Sequence, residues 1–266
     1  TSSIVHLGAK PVFVDVANDQ NIDPNYIEKK ITRKTKAIMP VHLTGRVCEM
    51  NQIIKISRKY KIPIIEDAAQ SIGSKYYNKL AGSIGDIGCF STHPLKNLNA
   101  CGDGGFLTTN KKQFYHLAKS LQNNGMFGRN EVKNFGYLSR MDVLQASILN
   151  FRLTILDEVI KKRRANFKLY KKLLNREKIF FPEEKKYQFN TYHTFVIQVD
   201  KRDELIKYLK KKGIQTAIHY PIPIHKQIAY ISKYGLERYK NTEKQSKRIL
   251  TLPINQYLTN KEIVYA

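Results

Sequence analysis

The chain has 266 residues, enough for one large domain or for one and a half domains of ordinary size. Its content of 42% hydrophobic and 26% charged residues is typical of a globular protein. The net charge of +24 comes mostly from lysines spread over predicted helices, not from a recognition helix or a base-stacking motif. No apolar stretch approaches the length of a membrane helix, so we predict neither a nucleic-acid partner nor a membrane partner.

Three cysteines, Cys48, Cys89 and Cys101, stand singly and form no CxxC pair. An odd number without framework spacing is typical of a reducing compartment, so we expect a cytoplasmic protein without structural disulfides, and we predict no metal site. The chain begins at Thr1 within a running pattern of strands, and residues 259–266 predict the start of a helix. We therefore interpret the sequence as part of a longer protein.

Short apolar strands alternate with helical segments through the first half of the chain. Strands are predicted at 11–16, 37–42, 62–66, 87–91 and 105–109, and helices at 23–31 and 50–60. The second of these helices places Met50, Ile53 and Ile54 on one face. Uninterrupted apolar strands between helices are typical of a buried, mostly parallel sheet, which predicts an α/β fold.

The pattern changes at Met141, from which apolar residues recur at helical spacing as far as Leu174. A helical stretch of this length predicts a connector between two domains. We predict a large domain at 1–150, a long connecting helix at 151–174 and a smaller C-terminal α+β domain at 175–266. Within the smaller domain the pattern predicts a strand at 193–199, a helix at 202–212 and a strand at 214–219.

Four polar residues follow predicted strands of the first half. Asp67 and Gln70 come after the strand at 62–66, whereas Ser91 ends the strand at 87–91 and Lys96 lies on the following loop. Because ligands collect beyond the carboxyl ends of strands in open α/β sheets, these side chains are expected to converge. A lysine amine can condense with an aldehyde and a carboxylate can keep a pyridine nitrogen protonated, as a pyridoxal-phosphate enzyme requires. A solvent-facing lysine, a helix-capping aspartate and ordinary turn residues are the structural alternatives.

Short motifs around these positions occur in a fixed order along the chain. They are PVFVDV from Pro11, PVHLTG from Pro40, EDAAQ from Glu66, GSIGD from Gly82, CFS from Cys89, KNL from Lys96, GDGG from Gly102, SRMD from Ser139, LQA from Leu144 and HYP from His219. Together they closely resemble the DegT/DnrJ/EryC1/StrS family of PLP-dependent sugar aminotransferases, over essentially all 266 residues. The resemblance implies an aspartate-aminotransferase-like fold (fold type I), pyridoxal 5'-phosphate as the cofactor, and a homodimer with active sites at the subunit interface.

The resemblance also implies roles for individual residues. Lys96 matches the lysine that holds the cofactor aldehyde and later moves a proton at the substrate carbon, and Asp67 matches the carboxylate that pairs with the pyridine nitrogen. Gln70 matches a residue beside the phenolic oxygen of the cofactor, and Ser91 matches a ligand of its phosphate.

Three further residues match positions near the sugar. His219 and Tyr220 match a pair contributed to the partner's site, and Arg140 matches an arginine near the same interface. A buried tyrosine and an ion-paired arginine are the structural alternatives. His42 and His93 are interpreted as structural.

Two features depart from the family pattern. Leu138 stands where the family has an asparagine that reaches the neighbouring subunit's cofactor phosphate, so either another donor compensates or the affinity for phosphate falls. The Gly-Thr turn that binds phosphate and the residue that stacks on the ring would both precede Thr1. Lys96 itself is retained, whereas related dehydratases carry histidine there, and this favours amino transfer.

The sequence around Lys96 also bears on the substrate. KNL followed by GDGG is more similar to family members that act at C3 of a keto sugar. We therefore expect a nucleotide-linked 3-keto sugar, such as a dTDP-3-keto-6-deoxyhexose, with glutamate as amino donor and a product used in polysaccharide or related biosynthesis. A C4-specific aminotransferase and a non-catalytic, regulatory family member are the alternatives.

Overall fold

A computed structural model describes residues 1–266, in which helices and short strands alternate along the chain. The helices are α1 (Ser2–His6), α2 (Met50–Tyr60), α3 (Lys112–Leu121), α4 (Val143–Thr154), α5 (Leu156–Leu173), α6 (Arg202–Lys211), α7 (Ile228–Tyr234), α8 (Lys240–Ser246) and α9 (Asn260–Tyr265). The strands are β1 (Ile65–Asp67), β2 (Lys75–Tyr76), β3 (Lys79–Leu80), β4 (Ile87–Ser91), β5 (Gly105–Thr108), β6 (Gln188–Phe189), β7 (Phe195–Gln198) and β8 (Ile249–Leu252). No helix is long and apolar enough to cross a membrane.

The central sheet has the order β1-β4-β5. β1 and β4 are parallel, with Asp67 opposite Cys89, and β5 runs antiparallel to β4 along the sheet edge. The predicted strand at 37–42 extends this sheet through two isolated parallel bridges, Ile38 with Ile64 and Val41 with Asp67. The predicted α/β fold is therefore confirmed, and its sheet is mixed because the edge strand β5 is antiparallel.

Several predicted elements differ from those observed. The segment 11–16 forms only one bridge, Val16 with Ile22, because side chains from the distant residues Tyr239 and Asn241 donate to its carbonyl groups. The predicted helix at 23–31 is two short 3-10 turns, and the predicted strand at 214–219 forms a single bridge to β8. The predicted long helix is interrupted at Ile155, whose φ of -108° and ψ of 1° separate α4 from α5.

An N-terminal core lies between α2 and the central sheet. α2 presents the fully buried Met50 and Ile53 to this core, as its apolar spacing predicts, and ends at Lys61 in the left-handed conformation. The core consists of ten buried residues, Ile27, Ile38, Val47, Cys48, Met50, Ile53, Ile62, Ile64, Tyr76 and Ala81.

A C-terminal core packs the antiparallel pair β7-β8 against α5, α6 and α9. It consists of twelve buried residues, Phe167, Tyr170, Phe181, Tyr192, Phe195, Ile197, Val199, Leu209, Leu250, Leu252, Ile254 and Ile263. α5 contributes to two clusters of buried residues. Its Phe167 and Tyr170 belong to the C-terminal core, and its N-terminal part belongs to a smaller cluster of Leu98, Ala100, Leu149, Leu156 and Ile160. The domain boundaries at 150 and 174 and the role of 151–174 as a connector stay predictions.

Candidate active site

The carboxyl end of β1 fixes the position of Asp67. Its backbone N–H donates to the Pro40 carbonyl over 2.9 Å, and its carbonyl accepts from the His42 N–H over 3.0 Å. Its Oδ1 atom accepts from the Ala69 N–H over 3.1 Å. The backbone of Asp67 is therefore held by the neighbouring extended segment, while its carboxylate keeps acceptor capacity for a ligand.

Lys96 lies on the loop that follows the adjacent strand β4. The loop is closed by backbone bonds, among them Lys96 N–H to the His93 carbonyl and Ala100 N–H to the Thr92 carbonyl, at 2.8 and 2.7 Å. The Lys96 side chain is half-buried and has no hydrogen bond or salt bridge of its own. Burial lowers the pKa of Lys96, and the negative charge of Asp67 offsets part of that effect. A larger fraction of this amine is therefore neutral and nucleophilic than for an ordinary lysine.

Gln70 is held between two segments at the same end of the sheet. Its Oε1 accepts from the Thr44 N–H over 2.7 Å, and its Nε2 donates to the Tyr220 hydroxyl over 3.5 Å. Gly45, next to Thr44, has a φ of +92°, and a Cβ there would lie 2.9 Å from the backbone nitrogen of Tyr192. The turn carrying Thr44 therefore packs directly on the chain that leads into β7.

His219 and Tyr220 lie beside the site of their own chain. His219 Nδ1 is 2.8 Å from the Thr251 hydroxyl, and Tyr220 contacts Gln70. Burial lowers the pKa of His219, and the charge of Lys96 lowers it further. Two of the residues predicted near the sugar thus lie close to two predicted cofactor ligands. Their contribution to a partner's site stays a prediction.

The other predicted residues are placed differently. Ser91 lies at the end of β4, and its Oγ accepts from the His93 N–H over 3.3 Å. Arg140 is exposed and forms no hydrogen bond or salt bridge, and the exposed Leu138 pairs with Asn123 only through a backbone bridge. A single chain therefore brings Asp67 and Lys96 together and leaves Arg140 on a separate, exposed segment.

The structure adds a residue that the sequence did not indicate, His193. Its carbonyl accepts from Arg163 over 3.0 Å, and its ring Nδ1 is buried without a hydrogen-bond partner. Burial lowers the pKa of His193 to about 3, and the charges of Lys96, Arg163 and His219 lower it in the same direction. The ring is therefore neutral at physiological pH. His193 begins the predicted strand at 193–199, and no motif or spacing marked it as part of a site.

These side chains fit the groups of pyridoxal phosphate. An unpartnered amine, a carboxylate with acceptor capacity, an amide and a hydroxyl stand at the ends of two parallel strands. Thr92 Oγ1, between Ser91 and Lys96, is also buried without a partner, as is His193 Nδ1. Buried polar atoms are normally hydrogen-bonded, so such unpartnered atoms are typical of a place where a polar ligand binds.

The fold and the site define an α/β enzyme of the aspartate-aminotransferase-like class. The chain belongs to the DegT/DnrJ/EryC1/StrS aminotransferase family, whose model matches residues 1–266, and it is an aminotransferase. The family predicted from the motifs is thereby confirmed.

Individual relatives are similar over nearly the whole chain. The chain is 41% identical to a protein of Aneurinibacillus thermoaerophilus named dTDP-3-amino-3,6-dideoxy-alpha-D-galactopyranose transaminase, over 96% of this chain and 70% of that protein. It is 37% identical to a pleiotropic regulatory protein of Geobacillus stearothermophilus, over 99% of this chain and 72% of that protein. Among solved structures, DesV of S. venezuelae in complex with a ketimine intermediate matches with a TM-score of 0.94 and 31% identity, over 99% of this chain and 72% of DesV.

Proposed function

We propose that this protein is a pyridoxal-phosphate-dependent aminotransferase that converts a nucleotide-linked 3-keto-6-deoxyhexose into the corresponding amino sugar, with glutamate as amino donor. One observation carries the proposal. The Lys96 amine is half-buried and has no partner in the chain, and it lies near enough to Asp67 at the ends of two parallel strands for that charge to raise its pKa. A nucleophilic amine near a carboxylate is the pair of groups that amino transfer needs.

Each proposed cofactor contact has a candidate residue. Lys96 would hold the aldehyde, Asp67 the ring nitrogen, Gln70 the phenolic oxygen and Ser91 the phosphate. When bound, pyridoxal phosphate supplies an electron-withdrawing ring that stabilises negative charge on the substrate carbon. Asp67 keeps the proton on the ring nitrogen, because a carboxylate favours the protonated form of a base beside it. Lys96, once its amine is free, accepts and returns a proton at the substrate carbon.

The substrate proposal depends on the relatives and on charge. The transaminase of A. thermoaerophilus acts, by its name, on a dTDP-linked 3-amino-3,6-dideoxy sugar, which supports a 3-keto-6-deoxyhexose here. The net charge of +24 produces a positive field that favours the approach of an anionic nucleotide diphosphate. We propose that His219, Tyr220 and Arg140 contact the sugar.

We also propose that the protein works as a homodimer in the cytoplasm. α4 exposes a run of large apolar side chains, with 81% of Val143, 70% of Leu144 and 68% of Phe151 accessible. An apolar surface of this kind is typical of an interface, and a second copy of the chain would cover it. The three cysteines are unpaired, which supports a reducing compartment.

A regulatory family member is the second candidate, favoured by the similarity to the pleiotropic regulatory protein of G. stearothermophilus. The two candidates differ in one measurable respect. An aminotransferase transfers the glutamate amino group to its bound cofactor, whereas a purely regulatory protein does not. Lys96 favours the first candidate, because a regulatory role does not require a nucleophilic amine.

A cofactor titration tests the proposal. The protein is titrated with pyridoxal phosphate while visible absorbance is followed, then treated with borohydride, and the modified lysine is mapped by mass spectrometry. We expect label on Lys96, and loss of the absorbance band when glutamate is added before reduction. The exposed Lys75 provides the control, since Lys75→Ala should leave both results unchanged. Label on other lysines only would contradict the proposal, and label on Lys96 without loss of the band would favour the regulatory candidate.

A further inference from the structure

A second carboxylate lies directly behind Asp67. Glu66 is the preceding residue of β1, and its side chain is fully buried. Its two oxygens accept four hydrogen bonds, from the backbone N–H groups of Gly82, Ile84 and Gly85 at 2.9, 2.7 and 2.5 Å and from the His42 ring at 2.8 Å. A carboxylate that accepts this many N–H groups is held in its ionised form.

The ring of His42 does not neutralise this charge. His42 Nδ1 accepts from the Cys48 backbone N–H over 3.2 Å, so the ring proton resides on Nε2 and is donated to Glu66. The ring is therefore a neutral donor. No lysine or arginine forms a salt bridge with Glu66. Burial raises the pKa of Glu66. The hydrogen bonds from His42, Gly85 and Gly82, together with the positive charge that His42 carries only when it is protonated, outweigh that effect and leave the pKa lowered. Glu66 is thus a buried negative charge without a compensating cation.

This charge belongs to the same short strand as the candidate catalytic acid. Successive residues of a strand point to opposite faces, so Asp67 faces Lys96 while Glu66 is enclosed below it by the turn at 82–85. His42 links the two acids, because its ring contacts Glu66 and its backbone N–H donates to the Asp67 carbonyl. Because Glu66 is fully buried, its field reaches the site with little screening by solvent.

We propose that Glu66 is a positioning residue of the catalytic centre, a buried and uncompensated anion that acts together with Asp67 to hold positive charge on the pyridine nitrogen of the cofactor. The inference rests on the proposed function, in which Asp67 contacts that nitrogen. His42 would serve this role by bonding Glu66 without supplying a positive charge.

The test compares two cofactors that differ in one ring atom. Affinities of the apoprotein for pyridoxal phosphate and for 1-deazapyridoxal phosphate, in which carbon replaces the ring nitrogen, are measured by equilibrium dialysis. Both carry the same aldehyde and phosphate, so their affinity ratio isolates the interaction of the protein with the ring nitrogen. We expect Glu66→Gln to reduce the ratio of the affinity for pyridoxal phosphate to the affinity for 1-deazapyridoxal phosphate by roughly three- to tenfold, because only pyridoxal phosphate should bind more weakly. Equal weakening of both ligands would show a merely structural role and overturn the inference.

Two further variants keep the test decisive. Glu66→Asp retains the charge while shortening the side chain, so it should keep the wild-type affinity ratio even if stability falls. A reduced ratio in Glu66→Asp would overturn the inference. This result can be obtained even if Glu66→Gln does not fold. Glu243→Gln is the matched control, because Glu243 bonds the buried His225 over 3.1 Å within the C-terminal region. It should leave the ratio unchanged, and an equal reduction there would likewise contradict a specific role for Glu66.

Asp67→Asn separates this inference from the proposed function. If wild type discriminates between the two cofactors and Asp67→Asn abolishes this discrimination, Asp67 contacts the ring nitrogen. An unchanged affinity ratio in Glu66→Gln would then refute the role of Glu66 while leaving the role of Asp67 intact. If wild type does not discriminate at all, the proposed contact of Asp67 fails, and the role of Glu66 fails with it.

Discussion

The strand-end site and the C-terminal core are built from different interactions. Asp67, Gln70 and the loop before Lys96 are held in place by hydrogen bonds. The C-terminal core is a continuous cluster of aromatic and aliphatic side chains around β7 and β8. The difference indicates that the chemistry depends on the first region, whereas much of the folding free energy comes from the second.

Replacing Lys96 with alanine should show the largest difference between the two regions, because it should remove activity with little effect on stability. We expect Lys96→Ala to lower kcat by about three orders of magnitude or more, because it removes both the nucleophile and the group that moves the proton. The free energy of unfolding should stay within about 1 kcal/mol of wild type, since the amine has no partner to lose. Steady-state amino transfer and urea denaturation measure the two effects. Substantial residual activity would show that another group performs the chemistry.

Replacing Phe181 with alanine should have the opposite effect. Phe181 is 1% exposed and packs edge-to-face against Phe167 and Phe195 in the C-terminal core. The cavity left by Phe181→Ala should lower the free energy of unfolding by about 3–5 kcal/mol. At a temperature where the variant remains folded, kcat should change by less than about threefold. A loss of activity comparable with that of Lys96→Ala, in folded protein, would show that the two regions are not separable.

How far the sequence predicts each region depends on where the hydrogen-bond partners lie. β4 is found at 87–91 as predicted, because the strand pattern of these residues is a local signal in the sequence. The segment 11–16 has a similar pattern, yet its partners come from residues 239–242, which no local pattern reveals. The break at Ile155 likewise carries neither glycine nor proline.

The same limit applies to the site. The motifs at the strand ends predict Asp67, Gln70, Ser91 and Lys96 as site residues, and in the structure Gln70 contacts Tyr220, which is also predicted near the site. The sequence does not indicate His193, because its buried position near Lys96 arises only on folding and not from spacing. The sequence indicates only a structural role for His42, since it does not reveal which ring nitrogen carries the proton.

The exposed face of α4 extends the comparison to the surface. If a second copy covers this face, Phe151→Glu should place a charge in an apolar interface and weaken self-association at least about a hundredfold. Tyr208→Glu on α6 is the matched control, because Tyr208 is also more than half exposed but lies on a different helix. Sedimentation equilibrium over a range of protein concentrations measures the effect. A monomeric wild type, or equal weakening by both variants, would contradict the proposed interface.

Acidification should lower the free energy of unfolding, first through titrating groups of the site region. The folded pKa of His193 is about 3, below its ordinary value of 6.5, so the unfolded chain binds a proton that the folded chain excludes. The contribution of His193 to the free energy of unfolding is therefore fully present above pH 6.5. It is lost as the pH falls from 6.5 towards 3, and in this range the free energy of unfolding falls by up to about 1.4 kcal/mol per pH unit. The lowered pKa of Glu66 adds a second loss, but only below its ordinary value of 4.5.

The contributions of the histidines and of Glu66 can therefore be separated by pH. Between pH 6.5 and 4.5 the free energy of unfolding, measured by urea denaturation, should fall for wild type, because the pKa values of both His193 and His219 are lowered, and should fall less steeply for His193→Asn. Phe181→Ala should shift the whole curve downward without changing its slope, because no titrating group is removed. If His193→Asn keeps the wild-type slope in this range, the imidazole is not held neutral, and the acid sensitivity of the site must come from groups other than His193.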